Sequence, residues 1–127
     1  MEYTTLGSTD IEVSKICVGC MSFGKAGTMH DWTLDEAATE AMVKHALTRG
    51  INFFDTGNCY SAGTSEEYVG RALKKNISRD KVVIASKVYF NDGRLSRQAI
   101  LREIDGTLKR LGTDYLDLYI IHRYDYE

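Results

Sequence analysis

The stretch INFFDTGNCYSAGTSEEYVG, residues 51–70, decides the fold. It opens as a short apolar run with β propensity, turns polar at Asp55, passes through DTGN turn chemistry to Tyr60, and then takes on helical periodicity. A buried-looking strand thus runs through a short loop into a helix. The same kind of run recurs at KICVG (15–19), KVVIASKV (81–88) and YLDLYIIH (115–122), each preceded by a turn or helix-stop signal.

The segments between these strands read as helices. TLDE (33–36) gives Thr33 and Glu36 the spacing of a capping box, Leu34, Ala38, Ala41 and Leu47 form a stripe, and Gly50 is suited to the left-handed end. TSEEYVGRALKK (64–75) repeats the device with Thr64 and Glu67 and buries Tyr68, Val69, Ala72 and Leu73. The third helix starts at Ser96 and stops at Gly112, with Ile100, Leu101, Ile104, Leu108 and Leu111 on its apolar side. Gly106 inside it is expected to cost up to about 1 kcal/mol relative to alanine, which points to close packing there.

Strands alternating with helices through connections this short imply right-handed parallel units, hence an α/β fold. The strands are nearly continuous in apolar character, as expected when both sheet faces are covered. A doubly wound dinucleotide fold wants G-x-G-x-x-G after its first strand. The residues there are GCMSFG (19–24), without the second glycine that lets backbone approach a pyrophosphate. A parallel (β/α) barrel of the TIM type makes no such demand, and about four of its βα units are present, a half barrel.

Catalytic groups of a barrel sit where its strands end in a common mouth. Following each strand to its end gives Asp55, Lys87 and His122, with Tyr60 in the loop just past Asp55. The chemistry of these four is coherent. A lysine ammonium beside a phenol favours the phenolate, a carboxylate fixes the lysine in its charged form, and an imidazole can hydrogen-bond a carbonyl oxygen and orient it. Together they suit protonation of the oxyanion formed when hydride adds to an aldehyde or ketone, with Tyr60 as general acid. Each alone has a blander reading: a turn aspartate, a packed aromatic, a solvated lysine, a structural histidine.

Composition narrows the classes. The chain has 127 residues, 43% hydrophobic and 27% charged, with net charge −2. Its Lys and Arg side chains are scattered among acids, which argues against a nucleic-acid footprint. No apolar run approaches a membrane span and MEYTTLGSTDIE lacks a signal core, so the cytoplasm is the default compartment. Cys17, Cys20 and Cys59 are an odd number without an export signal, so free thiols are expected. Cys17 and Cys20 form C-x-x-C, but it spans a strand and no second ligand pair for zinc follows, so no metal site is expected. His30 and His45 read as loop and helix-surface residues. There is no proline, an absence without a physical account.

The residues also resemble a known family, the aldo-keto reductases. GINFFDTGNCYSAGTSEEYVG (50–70) is similar to the family's signature around its catalytic aspartate and tyrosine, ASKV (85–88) to its lysine strand, and DLYIIHRYD (117–125) to its histidine strand. The similarity starts at TLGSTDIEVSKICVGCMSFG (5–24) and runs to the last residue, most closely to bacterial reductases and potassium-channel beta subunits. It implies an NADPH-dependent carbonyl reductase with Asp55, Tyr60, Lys87 and His122 as its tetrad, and with Asp55 also at the cofactor. It further implies that YTTLGSTDIEVSK (3–15) is a hairpin closing the barrel's bottom. MSFGKAGTMHDW (21–32) then borders the substrate pocket, with Trp32 as a wall beside Tyr60 and His122.

A complete barrel runs to about 250 residues, so this chain corresponds to the amino-terminal part of one. Half a barrel leaves strand edges near 16–19 and 116–121 unpaired, implying a second copy or a carboxy-terminal half as partner. Two rivals stand beside the enzyme: a docking module of the same fold, as in the channel-associated relatives, and a fragment without independent function.

Overall fold

The computed structural model describes all 127 residues. β1 (Tyr3–Thr5) and β2 (Glu12–Ser14) pair antiparallel as the expected N-terminal hairpin, and Tyr3 donates from its hydroxyl to the Gly50 carbonyl oxygen at 2.6 Å. The rest alternates: β3 (Val18–Gly19), α1 (Glu36–Thr48), β4 (Phe53–Asp55), α2 (Thr64–Asn76), β5 (Val83–Val88), α3 (Arg97–Leu111) and β6 (Leu118–Ile121). β3 to β6 form one parallel sheet in chain order. No helix is long and apolar enough to cross a membrane.

Helices cover one face of this sheet. Phe54, Ile84 and Cys20 from the strand layer pack with Val43 and Ala46 of α1, Val69, Ala72 and Leu73 of α2, and Leu111 of α3 in a single buried cluster. Side chains alternate across a strand. With Phe54 on the helix side, Asp55 lies on the other face; the register sets it against Ala85, and Lys87 follows two residues on. The opposite face of the sheet therefore carries the charged groups.

The strands are shorter than their apolar runs: only Val18–Gly19 of 15–19, Phe53–Asp55 of 51–55, Val83–Val88 of 81–88 and Leu118–Ile121 of 115–122 join the ladder. Residues before β4, β5 and β6 are still approaching the sheet and are apolar because they pack, as Ile51, Val82 and Leu116 do against the core.

The caps of α3 are as expected: Ser96 Oγ accepts from the Ala99 amide at 3.2 Å, and Gly112 closes the helix at φ 69°. The other two caps differ. In α1 the capping group is Asp35, whose Oδ1 accepts from the Ala38 amide at 2.9 Å, while the Thr33 hydroxyl is buried without a partner. An aspartate two residues nearer the helix displaces the threonine, and the buried side of α1 becomes Thr39, Val43 and Ala46, leaving Ala41 exposed. In α2 the N-cap is Gly63 with no side-chain cap, because Thr64 Oγ1 is occupied between the Ser61 carbonyl and the Lys25 amide. Leu101 of the predicted α3 stripe is exposed.

Candidate active site

Tyr60 reaches its place through a strained turn. Ser61 (φ 48°), Ala62 (φ 55°) and Gly63 (φ 93°) are all left-handed, which reverses the chain into α2 directly behind the tyrosine. Two of the three are not glycine, so the turn stores energy that packing must hold. Ser61 is wholly buried against Gly24, where a Cβ would overlap its side chain. Ahead of Tyr60, Gly57 packs flat on the tyrosine ring: a Cβ there would come to 3.2 Å of it. The loop is also tied down at Asn58, whose side-chain amide donates to Asn91 Oδ1 at 3.0 Å and Glu103 Oε1 at 2.9 Å.

The structure brings the predicted four residues together. Lys87 Nζ donates to Asp55 Oδ1 at 2.8 Å, to the Thr56 carbonyl at 2.8 Å and to the Tyr60 hydroxyl at 3.3 Å, so all three ammonium protons have acceptors. The Tyr60 hydroxyl accepts in this arrangement, leaving its own proton free. The His122 ring stands edge-on to Tyr60 with centroids 5.6 Å apart. His122 Nδ1 is buried without a partner, which leaves Nε2 as the accessible nitrogen. A neutral ring therefore carries its proton on Nε2, where it can be donated outward.

Ionisation follows from these contacts. Half-burial pulls the Lys87 ammonium down, but the hydrogen bond and charge of Asp55, joined by Tyr60, outweigh it and lift its pKa above the ordinary lysine value. Burial, then the Lys87 charge, lower His122 below its ordinary value against the opposing pull of Asp55, with Arg123 lowering it further. Lysine is thus held charged and histidine neutral.

Trp32 is not brought into ring contact with this group. It is 56% exposed and stacks on His30 at 4.5 Å, on a loop fastened beside Ser61 and Thr64 through the Lys25 amide. The aromatic beside His122 is instead Phe90, edge-on at 5.0 Å. Its signal in the sequence was only that it lies three residues past Lys87. The thiols are not poised for reaction: burial, then the Asp55 charge, push Cys17 up to about 11, and burial raises Cys20 and Cys59 as well.

One network escaped the sequence reading altogether. Glu66 is fully buried, accepting from Ser86 Oγ at 2.7 Å and Arg110 Nε at 2.6 Å, and so bolts α2 to β5 and α3. A Glu in a helix's first turn reads as a dipole partner or capping group, and only the tertiary fold reveals its ion pair. A cavity of about 1010 Å³ lies between α2 and α3 at the opposite end of the strands, lined by Leu73, Ile77, Val82 and Leu111. None of the four residues lines it, so the chemistry is placed by the cluster at the strand ends.

The aldo/keto reductase family pattern matches residues 15–127. The chain belongs to this family. It is 40% identical over 151 aligned positions to the versiconal hemiacetal acetate reductase of Aspergillus parasiticus, matching 100% of this chain and 43% of that protein. A thermostable aldo-keto reductase, Tm1743, solved with the inhibitor epalrestat, superposes with a TM-score of 0.84 at 35% identity, over 99% of this chain and 44% of that one. An aldo/keto reductase from Klebsiella pneumoniae solved with NADP and acetate superposes with a TM-score of 0.70 at 32% identity, over 91% and 38%. This aldo/keto reductase chain therefore spans about two fifths of the length of the relatives it matches.

Proposed function

We propose that the chain carries the proton-transfer centre of an NADPH-dependent carbonyl reductase, with Tyr60 as general acid, Lys87 and Asp55 as the pair that supports it, and His122 as the group that orients the carbonyl. The observation that carries this reading is the saturated Lys87 ammonium: it donates to Tyr60 and to Asp55 at once, so the phenolate left after proton transfer faces a fixed positive charge. His122, neutral and with its Nε2 proton facing out, donates to the carbonyl oxygen and holds it near the Tyr60 proton.

A nicotinamide ring fits what lies beside the pair. Gly19 stands in register with Asp55, and a Cβ there would meet nothing within 4 Å, so the surface next to the carboxylate is open and unobstructed. Asp55 is the residue of this chain that would contact the ring. When bound, NADPH supplies the hydride that the carbonyl carbon accepts. The rest is done by this chain's side chains: His122 polarises the oxygen, Tyr60 delivers its proton to it, and Lys87 stabilises the phenolate while Asp55 keeps the ammonium in place. The names of the relatives, reductases in each case and one solved with NADP, support the same assignment.

The test is NADPH titration followed by nicotinamide fluorescence, then turnover of an aldehyde such as benzaldehyde. Binding with turnover supports the reductase; binding without it favours a docking module, and no binding a fragment that needs the remainder of a barrel. In any active form, Tyr60→Phe is expected to lower kcat by at least about 100-fold, in the range usual for a general acid, with NADPH affinity within twofold of the parent. A variant that keeps most of its turnover removes Tyr60 from the role.

A further inference from the structure

We propose that Arg123 selects carbonyl substrates bearing a second, anionic group, a carboxylate carried on an aromatic or short apolar spacer. The proposal rests on reading Tyr60 and His122 as the carbonyl site. Arg123 directly follows His122, and its guanidinium lies 5.3 Å from the Phe90 ring centroid and 5.9 Å from that of Tyr89. Phe90 in turn stands edge-on to His122, and His122 edge-on to Tyr60. Tyr60, His122, Phe90 and Arg123 are therefore linked by successive contacts: proton donor, carbonyl orienter, apolar surface, cation.

The cation at the end of that series is uncompensated. Lys87 is paired with Asp55, and Arg94, which lies over the Tyr89 ring, is paired with Asp125 at 3.7 Å and Glu127 at 3.2 Å. Arg123 makes neither a salt bridge nor a side-chain hydrogen bond; aromatic rings alone hold it. Such a guanidinium is pre-oriented and keeps its forked donors free for a carboxylate. Phe90, 47% exposed, offers the spacer an apolar face between the two ends. The Arg123 charge also reaches the site, since it joins burial and Lys87 in lowering His122. Exposure and salt limit the gain, so the expected discrimination is about tenfold at low ionic strength.

The experiment uses the full chain and two readouts. Binding of benzoate, isophthalate and terephthalate is followed by the shift of the His122 Cε1 proton. One carboxylate stands in for the carbonyl, and the second probes Arg123. At least one dicarboxylate is expected to bind about tenfold tighter than benzoate, with Arg123→Gln reducing that ratio to within twofold of one and Arg123→Lys retaining part of it. The ratio of kcat/KM for 4-carboxybenzaldehyde over benzaldehyde with NADPH should fall in the same order. Benzoate that moves His122 while neither dicarboxylate gains, or a gain that survives Arg123→Gln, overturns the proposal and leaves the carbonyl-site reading standing. If none of the three ligands moves His122, the carbonyl-site reading falls and the proposal with it.

Discussion

His122 and Lys87 sit beside the same carboxylate and respond to it in opposite senses. Asp55 outweighs burial at Lys87, to which it is hydrogen-bonded, and fails to do so at His122, where burial is the largest effect and the lysine charge adds to it. A histidine whose folded pKa lies below its unfolded value of about 6.5 binds protons more tightly in the unfolded chain. Its contribution to stability is thus present above that value and lost as pH falls through the folded one. Proton NMR is expected to give His122 a midpoint below the ordinary histidine value of about 6.5. The wild-type urea midpoint should also fall more than that of His122→Gln between pH 7 and 5. A His122 midpoint at or above that ordinary value would contradict the burial and charge argument.

At the scale of elements, two pairs of substitutions separate the observed packing from what a pattern suggests. Asp35→Ala removes the carboxylate that caps α1 and should lower stability by about 1 kcal/mol, whereas Thr33→Ala removes only an unpartnered hydroxyl and should cost less. Denaturant titration of the pair checks which residue caps the helix. The glycine that closeness demands is likewise not Gly106, whose added Cβ would meet the guanidinium tip of Arg110 at 3.0 Å. It is Gly70, where a Cβ would overlap the Leu111 carbonyl, backbone that cannot swing aside. Gly70→Ala is expected to destabilise by about 1–3 kcal/mol as α2 and α3 are forced apart, and Gly106→Ala by less than about 1 kcal/mol, since helix propensity offsets the displaced side chain. Equal losses at the two sites would remove the argument for a tight α2–α3 contact.

For the molecule as a whole, the sheet order leaves β3 and β6 as free edges, and Ile16 just before β3 and Ile121 at the end of β6 are 55% and 62% exposed. Parallel sheets are normally covered on both faces, and free edges invite pairing. The chain in isolation is therefore expected to associate with further copies: sedimentation should give a weight-average mass that rises with concentration. A monodisperse 14.3 kDa species at high concentration would show that the open face and edges are tolerated.

Asp55, Lys87 and His122 of the candidate centre were legible in the sequence because each is a polar residue at or near the end of a run of β-branched and aromatic residues, a pattern that burial imposes locally along the chain, and Tyr60 follows in the loop after the first of them. The alternation of elements and the α3 caps were legible for the same reason, each depending on neighbours a few positions apart, whereas the hairpin was expected only from the family resemblance. The sequence did not disclose the buried Glu66–Arg110 pair, 44 residues apart, the Asn58 tie to Glu103, the Gly70 contact, or Phe90 beside His122. These depend on which surfaces meet once the helices have docked on the sheet, and that meeting is decided by packing between distant segments.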